Sequence, residues 1–485
     1  MIVILGAGLA GLSAGYELSH SGREITIIER DSSVGGLAKT ITHNGFRFDL
    51  GGHRFITRDE EVKSLIKEIL KDEFLIVHRK SQIFMLDKYF DYPLKPSNAV
   101  FGIGLFTTLK IISDYCKERM ADTFSSKEVV SLKDWVVRKF GRKMFNLYFK
   151  QYSEKVWGMD CSCISKEWVA LRIEGLSLWK AIKNAFFKFS GKDIDTLTDS
   201  FIYPLLGIGQ ISEGLKGRIT QENHIFTNSK VIKLEHEDFY IKNVIVEDEN
   251  DIYEIEGSEF VSSIPLTNLL QMFYPQPPVD ILEAVSKLHY RDLVIVSLLL
   301  DRERVTDLTW LYIPEKRIPI GRIHEPKNWS PFMAPQGKTH IVAEYFCFKG
   351  DRIWSSTDER LTSVTVEHLS NLSFFCRSEL IDSCVVRVPK AYPLLDVEYR
   401  RHYLKILGYL KQFKNLHIGG RGGMFRYLNM DHAIASGIEV AKKILSNHHA
   451  PWFTKAKQRC HPELVSGSYE MPKQVRHDTF VSSLK

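Results

Sequence analysis

The 485-residue chain has little cysteine, no long apolar run and no dominant charge. Each shortage closes off a class of protein. Seven cysteines are scattered singly apart from Cys161 and Cys163, a usage that suits a reducing compartment and not a disulfide framework. No His or Cys pair stands at zinc-like spacing from those two, so no metal site is expected. The most apolar window, AVFGIGLFTTL at 99–109, is shorter than the roughly 20 residues that span a bilayer. It reads as a buried or interfacial helix, and stable membrane insertion is not expected. The net charge is +6, of which residues 446–485 carry +3. The rest is close to balanced, with no basic stripe that would bind nucleic acid. No internal repeat is visible. MIVILGAG enters a strand at once, so no secretory leader is expected, and a cytoplasmic location follows as the expectation. At 44% hydrophobic and 26% charged residues, the composition is that of a globular protein of two or three domains.

What is present begins at residue 2. IVILGAGLAGLSAGYELSHSGREITIIER reads as strand, glycine turn, helix and a second strand ending at Glu29 and Arg30. Gly6 permits a tight turn, Gly8 lets the backbone approach a pyrophosphate, and Gly11 allows close helix–strand packing. The helix start offers free N–H groups and a positive dipole end to phosphates. Glu29 stands about 20 residues on, where an acid binds a ribose hydroxyl pair. A ligand-free glycine turn is the alternative, and the strand–helix context argues against it. RDSSVGGLAKT then supplies Gly35 and Gly36, and GFRFDLGGHRFIT supplies Gly51 and Gly52. Together these resemble the signatures of the two-dinucleotide-binding flavoproteins, the superfamily of amine oxidases, protoporphyrinogen oxidase, phytoene desaturases and UDP-galactopyranose mutases. The resemblance implies tightly held FAD. Glycines at 51 and 52 fit a backbone that passes close to a flavin ring.

LHIGGRGGMFRYLNMDHAIASGIEVAKKIL, 416–445, reads as strand, glycine turn and helix, capped by Asn429 or Asp431 and apolar at Ala433, Ile434, Ile438 and Ala441. Its N-terminus can stabilise negative charge at a flavin edge; an ordinary capped helix is the alternative. The expected fold is α/β. A Rossmann-type FAD-binding domain is assembled from 1–60, 205–265 and 405–447, interrupted by a helical domain (100–200). An antiparallel β-sheet substrate domain is drawn from 75–97 and 266–400, and residues 448–485, poor in aromatic and β-branched residues, form a disordered tail.

Several segments, in order along 1–445, resemble UDP-galactopyranose mutases in particular. They are GGHRF, YSEKVWG (152–158), WLYIPEKRIPIGRIHEPKNWSP (310–331), KAYPLLD and GRGGMFRYLNMD. By that resemblance Arg172 and Arg322 clamp a UDP diphosphate, a task suited to bidentate guanidinium geometry, and Tyr392 and Tyr427 donate hydroxyls to it. Trp157 lines the sugar cleft, His53 faces the flavin, and Arg421, Val231, Asn429 and Met430 join Arg30 and the glycines in holding FAD. Taken singly, Trp157 suits a core, Arg172 a surface ion pair and His53 a hydrogen-bonded interior; their joint order carries the reading. The chain departs from the bacterial pattern in having Ile56 where a second histidine is common, and its uridine-recognition segment is not identified.

The implied activity interconverts pyranose and furanose forms of a UDP-hexose, with N5 of reduced FAD attacking the anomeric carbon and NAD(P)H as reductant. An oxidase or desaturase of the protoporphyrinogen oxidase or amine oxidase kind shares the FAD frame, and a non-catalytic flavin-bound scaffold is a third reading.

Overall fold

Ile2–Leu5 is apolar at every position and wholly buried, as a strand inside a parallel sheet must be. The computed structural model describes residues 1–92, 104–123, 128–168, 200–219 and 223–446. Arg172 and the expected tail lie outside them, as does part of the apolar window. Strand β1 (Ile2–Leu5) pairs in parallel with Ile25–Ile28 on one side and Glu259–Ser262 on the other. His224–Phe226 and Leu416–Ile418 extend the two edges, also in parallel. Numbered along the chain, the spatial order is 5-4-1-2-3, the doubly wound arrangement with its switch point between the first and fourth strands.

Helix α1 (Leu9–His20) follows β1, and the helix Met430–Leu445 crosses it closely. A Cβ on Gly437 would collide with Ala10 O and Ser13 Oγ, and Ser13 Oγ donates to Ile434 O at 3.0 Å. The helices Glu60–Leu70 and Gly209–Lys216 complete that core. Three distant stretches of chain therefore build one parallel-sheet layer.

The second large sheet has seven strands in the order Leu380–Pro393, Tyr290–Leu300, Thr339–Cys347, Arg322–His324, Trp310–Tyr312, Ser81–Met85 and Lys88–Tyr92. Its pairings are antiparallel except one. Trp310–Tyr312 meets Ser81–Met85 in parallel, so the sheet is mixed where the sequence suggested an antiparallel one. No hairpin turn joins those two strands, which are far apart in the chain, so no turn dictates their relative direction. Phe74–His78 pairs separately with Ser200–Pro204. Phe273–Tyr274 joins the meander of Lys230–Glu237, Tyr240–Glu247 and Ile252–Glu256. Helices Leu105–Thr123, Leu132–Phe140 and Lys150–Trp157 make up the described helical region, with a π-helical turn at Phe145–Phe149 leading into the last. Met1–Ser446 form one compact unit, an α/β architecture in which helical and sheet insertions interrupt a Rossmann-type layer.

Candidate active site

The glycine turn sits at the switch point. Gly6 has a φ of +97°, and a Cβ there would meet Ser263 Oγ at 2.6 Å, while one on Gly11 would collide with Gly6 O. Gly8 differs: its φ is −71°, and among the described residues no atom beyond its chain neighbours lies within 4 Å of where its Cβ would be. Among the described residues no contact requires glycine at 8, and the turn leaves an open space there. Gly8 is also the N-cap of α1 and supplies no side-chain cap, leaving first-turn N–H groups for a ligand. Gly35 bridges to Gly8 and donates to Ala7 O at 2.8 Å. Gly36 packs with its Cβ position 3.2 Å from Gly8 Cα. Glu29, only 7% exposed, accepts from the N–H of Ala7 at 2.8 Å and of Asp31 at 3.0 Å, which fixes its carboxylate beside the turn. The exposed Arg30 lies 3.5 Å from Asp31 in an ion pair.

The other half of the site is a polar cluster under the large sheet. Arg322 and Glu344 are register partners on adjacent strands. Arg322 Nε donates to Glu344 Oε1 at 2.6 Å, and Nη2 lies 2.6 Å from Oε2. Glu344 is fully buried and also accepts from the N–H of Gly52 at 3.2 Å. Arg322 Nη2 reaches the Tyr392 hydroxyl at 3.3 Å. Tyr392 lies parallel to Tyr427, centroids 5.9 Å apart, and Arg421 Cζ stands 4.3 Å from the Tyr427 ring and 4.8 Å from that of Tyr392. The two guanidinium groups and two phenols thus converge beside the Gly51–Gly52–His53 backbone.

That convergence decides the state of His53. Burial first, then the charges of Arg421 and Arg322, push its pKa down to about 3, so it is a neutral imidazole at physiological pH. Its Nδ1 is buried and has no hydrogen-bond partner among the described residues. His324, stacked on Trp329 at 4.7 Å, is likewise held neutral by burial and by Arg322.

Gly51 has a φ of +111°, which favours glycine. At Gly52 the reason for glycine differs from the one expected: a Cβ would collide with the Trp310 indole. Trp157 does not form an open cleft wall. It is 2% exposed and acts from behind, its ring edge-on to Tyr392 at 6.2 Å. Asn429 occupies the N-cap of Met430–Leu445 without a side-chain cap bond, and Asp431 lies in its first turn. Met430 packs on the nucleotide-layer core, and Val231 is buried in Lys230–Glu237. Glu344 and Trp310 were missed from the sequence. The signal for Glu344 was a lone acid in the mostly apolar, wholly buried strand THIVAEYFC. Among the described residues, no three His, Cys, Asp or Glu side chains form a metal-binding group, and no helix is long and apolar enough to cross a membrane.

These features fit FAD: the open space at Gly8 and the uncapped helix start would receive the pyrophosphate, Glu29 the ribose, and the Gly51–His53 backbone with Arg421 the flavin end. Comparison with known proteins agrees. Residues 9–445 match the profile of the flavin containing amine oxidoreductase family. The chain is 22% identical over 484 residues to protoporphyrinogen oxidase 2, chloroplastic/mitochondrial, of Arabidopsis thaliana, covering 92% of this chain and 94% of that protein. An L-amino-acid oxidase of Crotalus adamanteus is 31% identical over 150 residues, 26% of this chain and 29% of its own length. The fold superposes on reduced UDP-galactopyranose mutase with a TM-score of 0.80 at 19% identity, covering 94% and 98% of the two chains. A putative protoporphyrinogen oxidase from Exiguobacterium sp. 255-15 gives 0.69 at 16% identity, covering 92% and 99%. Those likenesses concern the fold. The profile match runs from the first helix to the last described one, and the chain belongs to the flavin containing amine oxidoreductase family.

Proposed function

We propose that the chain is a UDP-hexose mutase, interconverting pyranose and furanose forms of a nucleotide sugar, with NAD(P)H as the reductant that readies the flavin. The observation that carries this is the convergence of Arg322, Tyr392 and Tyr427 beside the Gly51–His53 backbone, with Arg421 against the two phenol rings at the flavin end. Cations and phenolic hydroxyls suit a diphosphate. Bound FAD, when reduced, supplies a nucleophilic N5.

The chain's own residues have separate tasks in this reading. Arg322 offers Nη1, the edge that Glu344 leaves open, and the Tyr392 and Tyr427 hydroxyls donate alongside it to the diphosphate. Arg172, outside the described residues, would supply the second guanidinium of the clamp. Glu344 holds Arg322 and the Gly52 N–H in one geometry, so neither must reorganise as charge builds on the leaving diphosphate. His53, kept neutral, adds no positive charge next to the flavin. Titration of the flavin-loaded protein with UDP, followed by product analysis with candidate UDP-hexoses after chemical reduction, tests the reading. Micromolar-range UDP binding with pyranose–furanose exchange supports it; absence of UDP binding refutes it.

One observation favours a second reading, a flavin oxidase: the similarity to the Arabidopsis protoporphyrinogen oxidase extends over 92% of the chain. An oxidase passes two electrons to an acceptor on each turnover, and that difference separates the two.

A further inference from the structure

Within YSEKVWG, Lys155 has no task in the proposed substrate site, yet its side chain is the most densely bonded of the segment. Lys155 points out of the helix Lys150–Trp157 into the connection between the strands Trp310–Tyr312 and Arg322–His324. Its ammonium donates to four backbone carbonyls: Ile313 at 2.6 Å, Glu315 at 2.7 Å, Ile318 at 2.7 Å and Ile320 at 3.1 Å. The Glu315 carboxylate is occupied elsewhere, accepting from Leu86 N–H at 2.7 Å and pairing with Arg317 at 2.9 Å. An ammonium has three protons, so four carbonyls surround it as a coordinating ring, in the way backbone oxygens replace the hydration shell of an ion. Without a cation, four carbonyl dipoles would face one another in a water-poor interior. Burial draws the Lys155 pKa down to about 7 against the opposing pull of Glu315, so burial alone makes a charge at this place costly.

The same helix reaches the candidate site twice more. Tyr152 packs edge-on to Tyr312 at 5.6 Å, at the start of the connection. Trp157 packs on Tyr392, which receives Arg322 Nη2. Arg291 fixes the end of the helix, donating to Val156 O at 2.8 Å and Lys155 O at 3.2 Å.

We propose that Lys155 is a positioning residue: its ammonium shapes the 313–320 connection that presents Arg322, and so sets Arg322 against the Trp157–Tyr392 pair. Its consequence for ligand binding rests on the diphosphate reading above; its effect on the connection does not.

The test uses full-length, flavin-loaded Lys155→Ala and Lys155→Gln, measuring amide hydrogen exchange over 313–324 and UDP affinity, each with and without propylammonium. In Lys155→Ala, exchange should accelerate and UDP affinity fall about tenfold, the loss of roughly one charge-assisted hydrogen bond, with FAD content unchanged. Propylammonium should restore both by refilling the carbonyl ring, a rescue that general destabilisation would not show. Lys155→Gln, with two neutral donors, should fall between, and it carries the test if the alanine variant does not fold. Unchanged exchange overturns the proposal, as does loosened exchange with normal UDP affinity. If the wild type binds no UDP, the diphosphate reading fails, and exchange with its rescue alone decides the role of Lys155.

Discussion

Glu344 grips Arg322 from directly across the sheet, Oε1 to Nε and Oε2 to Nη2, both at 2.6 Å. The pair fixes one edge of the Arg322 guanidinium, and on the diphosphate reading proposed above the Nη1 edge meets the ligand. It also means that Arg322→Ala does two things at once: it removes a donor and strands a buried carboxylate, at a stability cost of about 3–5 kcal/mol. Arg322→Lys keeps the charge and is the cleaner probe. We expect it to fold, to retain FAD and to bind UDP about ten- to a hundredfold more weakly, since one ammonium cannot reproduce the guanidinium fork. Calorimetric titration with UDP checks this, and unchanged affinity would remove Arg322 from the clamp.

Two glycines of one turn should fail in different ways. Gly8→Val puts a side chain into open space, so the protein should fold with near-native stability but lose FAD. Gly11→Ala drives a methyl into Gly6 O and should lower stability by about 1–3 kcal/mol, the usual range for overpacking. Denaturant titration and flavin absorbance of the two purified variants separate the effects. Full flavin content in Gly8→Val would place the pyrophosphate elsewhere.

The strand–turn–helix unit at the start of the chain was legible because its demands are local. Gly6, Gly8, Gly11 and Glu29 each answer to a backbone conformation or a fixed spacing along one strand–helix–strand unit. The helix at 430–445 announced itself by apolar period. The substrate half depends on pairings that no local rule states. The register of Arg322 against Glu344 is set by how the three-residue strand Arg322–His324 meets Thr339–Cys347 in a mixed sheet, and the ring around Lys155 is made of carbonyls, which every residue carries. Trp157 was read as a cleft wall from its motif; its burial behind Tyr392 follows from packing of a helix whose neighbours are remote in sequence.

Asp49 gives the fold a pH signature. It is buried, accepting from Thr40 Oγ1 at 2.6 Å, Tyr203 OH at 2.7 Å and Ile208 N–H at 3.1 Å. Burial outweighs these bonds and raises its pKa from 3.8 to about 6. With the folded value above the unfolded one, the stability contributed by the protonated form is full below about pH 3.8 and is lost as pH rises through about 6. The contribution is on the order of 3 kcal/mol. Asp49→Asn should therefore lose the part of the stability decline between pH 4 and 6 that belongs to this group, as read from urea unfolding of both proteins across that range. Parallel curves would mean that Asp49 is ionised in the folded protein throughout.

The reading of the site as a diphosphate clamp beside a flavin stands or falls on redox stoichiometry. A mutase leaves its flavin in the state in which it began, so dithionite-reduced, anaerobic protein given a UDP-hexose should exchange pyranose and furanose forms over many turnovers. It should consume no electron acceptor and keep its reduced-flavin spectrum, while the air-oxidised protein should be nearly inactive. Turnover only with oxidised flavin, yielding one peroxide or one reduced acceptor per product, would contradict the account and assign the chain to the oxidases.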